Sequence, residues 1–251
     1  MILALLSDIH GNREALQACL IDAASRGAEQ YAFLGDLVGY GADPSYVVET
    51  VARFAANGAI VIKGNHDVAV TSPLRDMNGH ARHAIEWTKN NLSEAEIAFL
   101  EALPLSASHG DVLFVHGDAS DPAGWIYVMG PREAERSMRA TQHRVTFSGH
   151  VHRPQLARMP LKAESDLGST RSAIPVARLT HLLERDMKWH AVLGSVGQPR
   201  DENPEASYAL YDDTTAALTF MRVSYDIARA AEKIRAAGLP SVLADRLFVG
   251  H

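Results

Sequence analysis

Apolar residues along this chain come in short dense runs, each cut off by glycine, aspartate or histidine. Met1 to Leu6 runs into Ser7-Asp8-Ile9-His10-Gly11-Asn12, Tyr31 to Leu34 into Gly35-Asp36-Leu37-Val38-Gly39, and Ile60 to Ile62 into Lys63-Gly64-Asn65-His66-Asp67. Val112 to Val115 ends in His116-Gly117, and Val145 to Phe147 in Ser148-Gly149-His150-Val151-His152. Short apolar, often β-branched runs bounded by turn residues predict buried strands. Between the first three, the apolar spacing changes to a helical period. Arg13 to Ser25 places Ala15, Leu16, Cys19, Leu20 and Ala23 on one face before Arg26-Gly27 closes it, and Ser45 to Ala56 carries Val47, Val48, Val51 and Phe54. The result is a βαβαβ pattern, which predicts parallel strands whose carboxyl ends line up on one edge of a sheet, where ligands bind.

Met77 to Leu103 is helical in character, with Ile85, Trp87, Leu92, Ile97, Phe99 and Leu100 as core positions and Ser93 with Glu96 as a capping box. Two strands are predicted around Leu105 to Ser108 and Val112 to Val115, then a helix from Arg132 to Ala140. Beyond His152 the pattern becomes mostly strand. Trp189 to Leu193, Ser207 to Tyr211 and Leu218 to Val223 are expected to build a second, more antiparallel sheet packed on the first. Tyr225 to Ala237 and Val242 to Leu247 read as helices that either cap the second sheet or pair with another subunit, so a homo-oligomer is left open. The loops Tyr40 to Pro44, Val68 to Met77 and Asp118 to Pro131 are expected to shape a pocket. There is no internal repeat and no long linker, and one domain over residues 1–251 is expected.

Composition narrows the function. The 251 residues are 47% hydrophobic and carry a formal charge of -6, with Lys and Arg scattered. A polyanion partner needs a basic surface, so a nucleic-acid polymer is disfavoured as the main ligand. No stretch approaches the roughly 20 apolar residues of a membrane span, and the first apolar run lacks a basic flank and is broken by Asp8, so a cytoplasmic protein is expected. The single cysteine, Cys19, falls on a helix core face and reads as a buried thiol. Of the twelve histidines, His80 and His83 read as solvated or structural, and His109, His143, His181, His190 and His251 as core or surface residues.

The remaining polar residues carry the chemistry. As ligands, Asp8, His10, Asp36, Asn65, His116, His150 and His152 offer two carboxylates, four imidazoles and one amide oxygen. Nitrogen and oxygen donors without thiolate suit Mn, Fe, Zn, Co or Ni. Seven donors exceed what one such ion takes. If one carboxylate bridges, two ions receive four protein donors each and keep room for water and substrate. Asp8 and His10 are two apart, as are His150 and His152, so an extended segment would send each pair to the same side.

In this order and at strand ends, Asp8-x-His10, Gly35-Asp36-x-x-Gly39, Gly64-Asn65-His66-Asp67, His116-Gly117 and Gly149-His150-x-His152 resemble the calcineurin-like metallophosphoesterase superfamily. Gly194-Ser195-Val196-Gly197-Gln198-Pro199-Arg200 is similar to the tail signature of its small bacterial phosphodiesterase-type members. The resemblance implies an α/β fold, a four-layer αββα sandwich of two packed mixed sheets with flanking helices. It implies one divalent ion on Asp8, His10, Asp36 and His152, and a second on the bridging Asp36 with Asn65, His116 and His150. A metal-bridging hydroxide would attack phosphorus, and His66 would bond the phosphate and act as general acid.

One departure matters. Protein phosphatases and dinucleoside-tetraphosphatases of the superfamily place an Arg, and the protein phosphatases also an Asp, where this chain has Tyr40 and Gly39. Asn12, Arg13, Arg153 and Arg200 remain as candidates for contacting substrate, and Trp125 and Tyr127 for walling the pocket. The reading that follows is a phosphodiesterase acting on a small phosphate ester, with a nucleotide or cyclic nucleotide among the candidates. A phosphomonoesterase or pyrophosphohydrolase of the same fold, and a non-catalytic metal-binding scaffold, are the alternatives.

Overall fold

Leu3 and Leu5 face one way along the first strand and Ala4 and Leu6 the other, and all four are buried, so this strand packs on both faces. In the computed structural model, which describes residues 1–72, 77–161 and 170–251, the strands are β1 (Ile2–Leu6), β2 (Gln30–Leu34), β3 (Ile60–Ile62), β4 (Ser106–His109), β5 (Val112–Val115), β6 (Val145–Ser148), β7 (Gln155–Pro160), β8 (Arg171–Ala173), β9 (Thr180–Leu182), β10 (Met187–Val192), β11 (Ala206–Asp212) and β12 (Ala217–Val223). The helices are α1 (Arg13–Ser25), α2 (Pro44–Ala56), α3 (Asn65–Thr71), α4 (Gly79–Asn90), α5 (Glu94–Ala102), α6 (Pro131–Arg139), α7 (Ile227–Ala236) and α8 (Ser241–Asp245), followed by a 3-10 turn at Arg246–Phe248.

Two mixed six-stranded sheets result, in the orders β3-β2-β1-β11-β12-β9 and β4-β5-β6-β10-β7-β8. Between them lies a core of Leu3, Leu5, Leu34, Ile62, Phe114, Phe147, Trp189, Tyr211 and Phe220. The outer face of the first sheet, with Ala4, Leu6 and Phe33, meets Leu16 and Cys19 of α1 and Val47, Val48 and Val51 of α2. On the outer face of the second sheet, Ala134 and Met138 of α6 pack on Ala157, Met159 and Val192. The layers are therefore the expected helix, sheet, sheet, helix.

The distribution of strands corrects the sequence reading. β11 and β12 do not join β10 in a separate later sheet; β11 pairs antiparallel with β1, while β10 lies parallel to β6. A central β1 needs a neighbour on each edge, and β2 supplies only one. The five motif-bearing strands are split accordingly, β1 to β3 in one sheet and β5 and β6 in the other. The C-terminal helices neither cap the second sheet nor stand free: Ala230, Ala231, Ile234, Leu243 and Leu247 pack with Tyr40, Ala81 and Ala84. Gly64-Asn65-His66-Asp67 opens a helix, α3, that the turn chemistry conceals. Of the pocket loop expected over Val68 to Met77, residues 73–76 lie outside the described residues.

Candidate metal centre and active site

β1, β2 and β3 are parallel to one another, as are β5, β6 and β10, and the loops leaving their carboxyl ends meet at one edge of the sandwich. The loops are not extended there. Asp8 (φ 54°), His10 (51°), Asp36 (50°), His150 (68°) and His152 (60°) all adopt left-handed backbone, which non-glycine residues rarely do. Each pair two residues apart therefore converges by alternate left-handed turns rather than by strand alternation, which corrects the expected geometry. Such strain persists where the surroundings over-determine it. Here Asp67 does much of that: its carboxylate accepts from Leu37 N (2.9 Å), Val38 N (3.2 Å) and Gly64 N (2.9 Å), tying the second motif to the third. Asp8 accepts from His150 N (2.9 Å) and Asp36 from His66 N (2.8 Å). Gly64 and Gly149 are needed for this closeness, since a Cβ at either would strike Asp36 or Asp8 with Ser7.

The donors form two overlapping groups, Asp8, His10, Asp36 and His152, and Asp36, His116 and His150; ligand atoms within each lie inside 4.8 Å, and every residue is buried. Asp36 belongs to both. Each imidazole has one nitrogen on a backbone carbonyl: His10 Nδ1 on Val38 (3.1 Å), His116 Nδ1 on Leu34 (2.7 Å), His152 Nδ1 on Gln198 (2.6 Å) and His150 Nε2 on Trp125 (2.8 Å). As an N–H donor there, a neutral ring presents its other nitrogen as a lone pair, the orientation that ligating histidines adopt. His10 Nε2 lies 3.0 Å from His152 Nε2, and His116 Nε2 3.3 Å from Asp36 Oδ2 without hydrogen-bond geometry. Asn65 Oδ1 is buried with no partner, beside His66 and His150.

Electrostatics agree. Burial disfavours ionised carboxyls, yet His152 and His116 hold Asp8 well below the ordinary carboxylate range, and His116 with His66 does the same for Asp36. Burial pushes His10 down, and His150 and His66 each to about 4, so these rings are neutral at pH 7. His116 alone goes up, to about 10: burial opposes its charge, but Asp36 and Asp8 outweigh it. Two carboxylates and four imidazoles converging on one buried volume could hold cations, and the donor set fits divalent transition ions.

Comparisons with known proteins agree with this geometry. The profile of the calcineurin-like phosphoesterase superfamily domain matches residues 1–216. The chain belongs to the calcineurin-like phosphoesterase superfamily. Like its members, it is a metal-dependent phosphoester hydrolase. It is 34% identical over 256 residues, covering 100% of this chain and 98% of the relative, to the uncharacterized protein MJ0912 of Methanocaldococcus jannaschii. The crystal structure of a metallophosphoesterase from Sphaerobacter thermophilus superposes with a TM-score of 0.88 at 35% identity, covering 100% of this chain and 99% of that one. The hypothetical protein PH1004 from Pyrococcus horikoshii shares the fold at a TM-score of 0.78 and 20% identity, covering 100% and 98%.

The departure noted in the second motif, at Gly39 and Tyr40, lies against His66. Gly39 stands so close to His66 that a Cβ would lie 2.5 Å from Nδ1, and that buried Nδ1 has no partner. The Tyr40 ring packs 4.5 Å from His66 and 4.6 Å from His10. A cavity of about 390 Å³ opens beyond, lined by Tyr40, Asn65, His66, Trp125, Tyr127 and His150. Tyr127 stacks on His150 at 4.1 Å. Of the four substrate-contact candidates, Arg153 and Arg200 are brought together in a cavity that His66 does not line, while Asn12 and Arg13 stand apart. Asn12 caps α1 through Ala15 N and donates to Gly197 O, and Arg13 lies 4.3 Å over the Tyr46 ring, so both are occupied elsewhere. Arg153 donates to the Arg200 carbonyl and faces a different cavity with Met129 and Ile174. Arg200 lies 5.7 Å over Tyr40 and, through its charge, lowers His66 and His152. The sequence reading missed Asp67 and Gln198 as supports of the site; Asp67 stood within a recognised motif, and Gln198 within the tail signature.

Proposed function

We propose that the protein is a dinuclear metallophosphodiesterase acting on a small substrate with a planar group, of which a nucleotide or cyclic nucleotide is the leading candidate. The observation that carries this reading is the cavity itself, which begins at His66 and His150, has a ligand-sized volume of about 390 Å³, and is walled by Tyr40, Trp125 and Tyr127. Asp8, His10, Asp36 and His152 would hold one divalent ion, and Asp36, Asn65, His116 and His150 the other. When bound, such a pair supplies charge neutralisation at the phosphoryl group and a lowered pKa for the attacking water. The absence of the second-motif arginine favours a diester, whose single negative charge asks for less positive charge than a monoester.

His66 has one role left to it. With Nδ1 sealed against Gly39, the nitrogen available to the cavity is Nε2, which would donate a proton to the departing oxygen. Burial lowers its pKa to about 4, and an arriving phosphate anion supplies the nearby negative charge that favours the protonated ring.

Hydrolysis of bis(p-nitrophenyl) phosphate by chelator-stripped protein, before and after Mn²⁺ is restored, tests the reading. Metal-dependent nitrophenol release is expected; absence of turnover with every divalent ion, in protein carrying two ions per chain, would sink it. His66→Ala should keep its metal and lose roughly 10²- to 10⁴-fold in kcat on esters with alkoxide leaving groups. The loss should be smaller on nitrophenyl esters, whose leaving group needs little protonation. Equal losses on both would remove His66 from the general-acid role.

A further inference from the structure

Arg200 and Arg246 share one neutral acceptor beside the active site. Arg200 reaches Gln198 Oε1 through Nη2 (2.8 Å) and Nε (3.3 Å), and Arg246 reaches the same oxygen through Nη1 (3.3 Å). The acids adjacent to them in sequence are committed elsewhere, Asp201 to Arg222 and Asp245 to Arg235. Among the described residues neither Arg200 nor Arg246 forms an ion pair, and Arg246 Nε is buried without any partner. Burial and the neighbouring Arg200 charge depress the Arg246 guanidinium, opposed only by Tyr40. Half-buried like charges on a single amide oxygen are costly until an anion joins them.

Their position points to the anion. The Tyr40 ring neighbours both centres, 5.7 Å from the Arg200 guanidinium and 4.5 Å from the His66 ring. A second cavity of about 230 Å³, lined by Tyr40, Asn78, Gly79, His80 and Arg246, shares Tyr40 and Asn78 with the first. The amino end of α4 opens into it: the Asn78 side chain caps Ala81 N, and a Cβ at Gly79 would meet nothing within 4 Å. A helix start with free N–H groups attracts anions, and a guanidinium matches a phosphate edge with two parallel donors.

We propose that Arg246 and the amino end of α4, with the Arg200 charge close by across Gln198, form a second oxyanion subsite, which holds a non-scissile phosphate of the substrate. Preferred substrates are then small phosphodiesters that carry a further phosphate one aromatic ring away from the reacting one. This substrate assignment rests on the phosphodiesterase reading; the anion subsite does not.

Two measurements separate them. Calorimetry of inorganic pyrophosphate binding to the metal-free full chain should show affinity that falls by roughly tenfold or more in Arg246→Gln and by less in Arg246→Lys, which keeps the charge but not the paired donors. Unchanged affinity in Arg246→Gln, or equal losses in both variants, would overturn the subsite. In the metal-loaded enzyme, the kcat/KM preference for thymidine 3′-phosphate 5′-(p-nitrophenyl phosphate) over thymidine 5′-(p-nitrophenyl phosphate) should fall by about tenfold in Arg246→Gln. If pyrophosphate binding responds but this preference does not, the pair serves a free anion and the substrate assignment is refuted. If pyrophosphate behaves as expected and neither ester is cleaved, the diesterase reading fails and the subsite stands.

Discussion

His116 carries the proton that an incoming cation must displace. Asp36 raises it to about 10 in the ion-free protein, whereas a ligating imidazole is neutral. Metal loading at pH 7 should therefore release a proton, and apparent affinity should rise with pH up to about 10; calorimetry in buffers of differing ionisation enthalpy reads this directly. Asp67 offers a second test. Its two oxygens take three backbone N–H groups, and in Asp67→Asn the amide NH₂ would face either Gly64 N or Leu37 and Val38 N. One buried donor pair left unmatched costs about 1–3 kcal/mol, so a lower melting temperature and reduced metal occupancy are expected. At this scale the sequence was most informative for residues that act through fixed local spacing, such as Asp8 and His10 or His150 and His152. Arg246 was illegible, because nothing near it in sequence marks it; its meaning comes from Gln198 and Tyr40, which only the fold brings beside it.

Elements were legible in proportion to how local their causes are. α1 follows from its apolar period and the Asn12 cap, α2 from its apolar period with Pro44 at its start, and the Ser93 to Glu96 capping box opens α5 as read. Strand partners were not, since a run such as Ser207 to Tyr211 fits either sheet and only the unfilled edge of β1 decides. β10 illustrates a further hidden cost. His190 is buried there, with Nε2 on Ser148 Oγ (2.9 Å) and Nδ1 unpartnered, and burial lowers its pKa to about 4. Unfolded, the same ring titrates near 6.5, so between these values the unfolded chain binds more protons. This contribution to stability is intact above about pH 6.5 and is lost as pH falls toward 4, on the order of 3 kcal/mol. Denaturant titrations across that range should show a shallower pH slope in His190→Leu, whatever its absolute stability.

The molecule as a whole is closed by its last third. The segment Gly194 to Arg200, leaving β10, is laid against the first motif: Val196 N donates to Ser7 O (3.0 Å), Gly197 N to Asp8 O (2.9 Å) and Ser195 Oγ to Asp8 O (2.7 Å), while a Cβ at Gly197 would strike Ile9 O. Gly197→Ala should displace the Asp8 to His10 loop, and metal analysis should show the ion on that side lost first. The same seam has a consequence for the timing of assembly. Ribosomes deliver chains amino end first, so Asp8, His10 and Asp36 emerge well before the strand and strap that hold them in left-handed backbone. Backbone bonds from Asp8 N to Gly35 O and from His10 N to Asp36 O join the first two motifs early, but until Ser195 and Gly197 arrive and β11 fills the open edge of β1 the first motif lacks its second support. Full metal affinity is then expected only late in the life of the newborn chain, once that seam has closed.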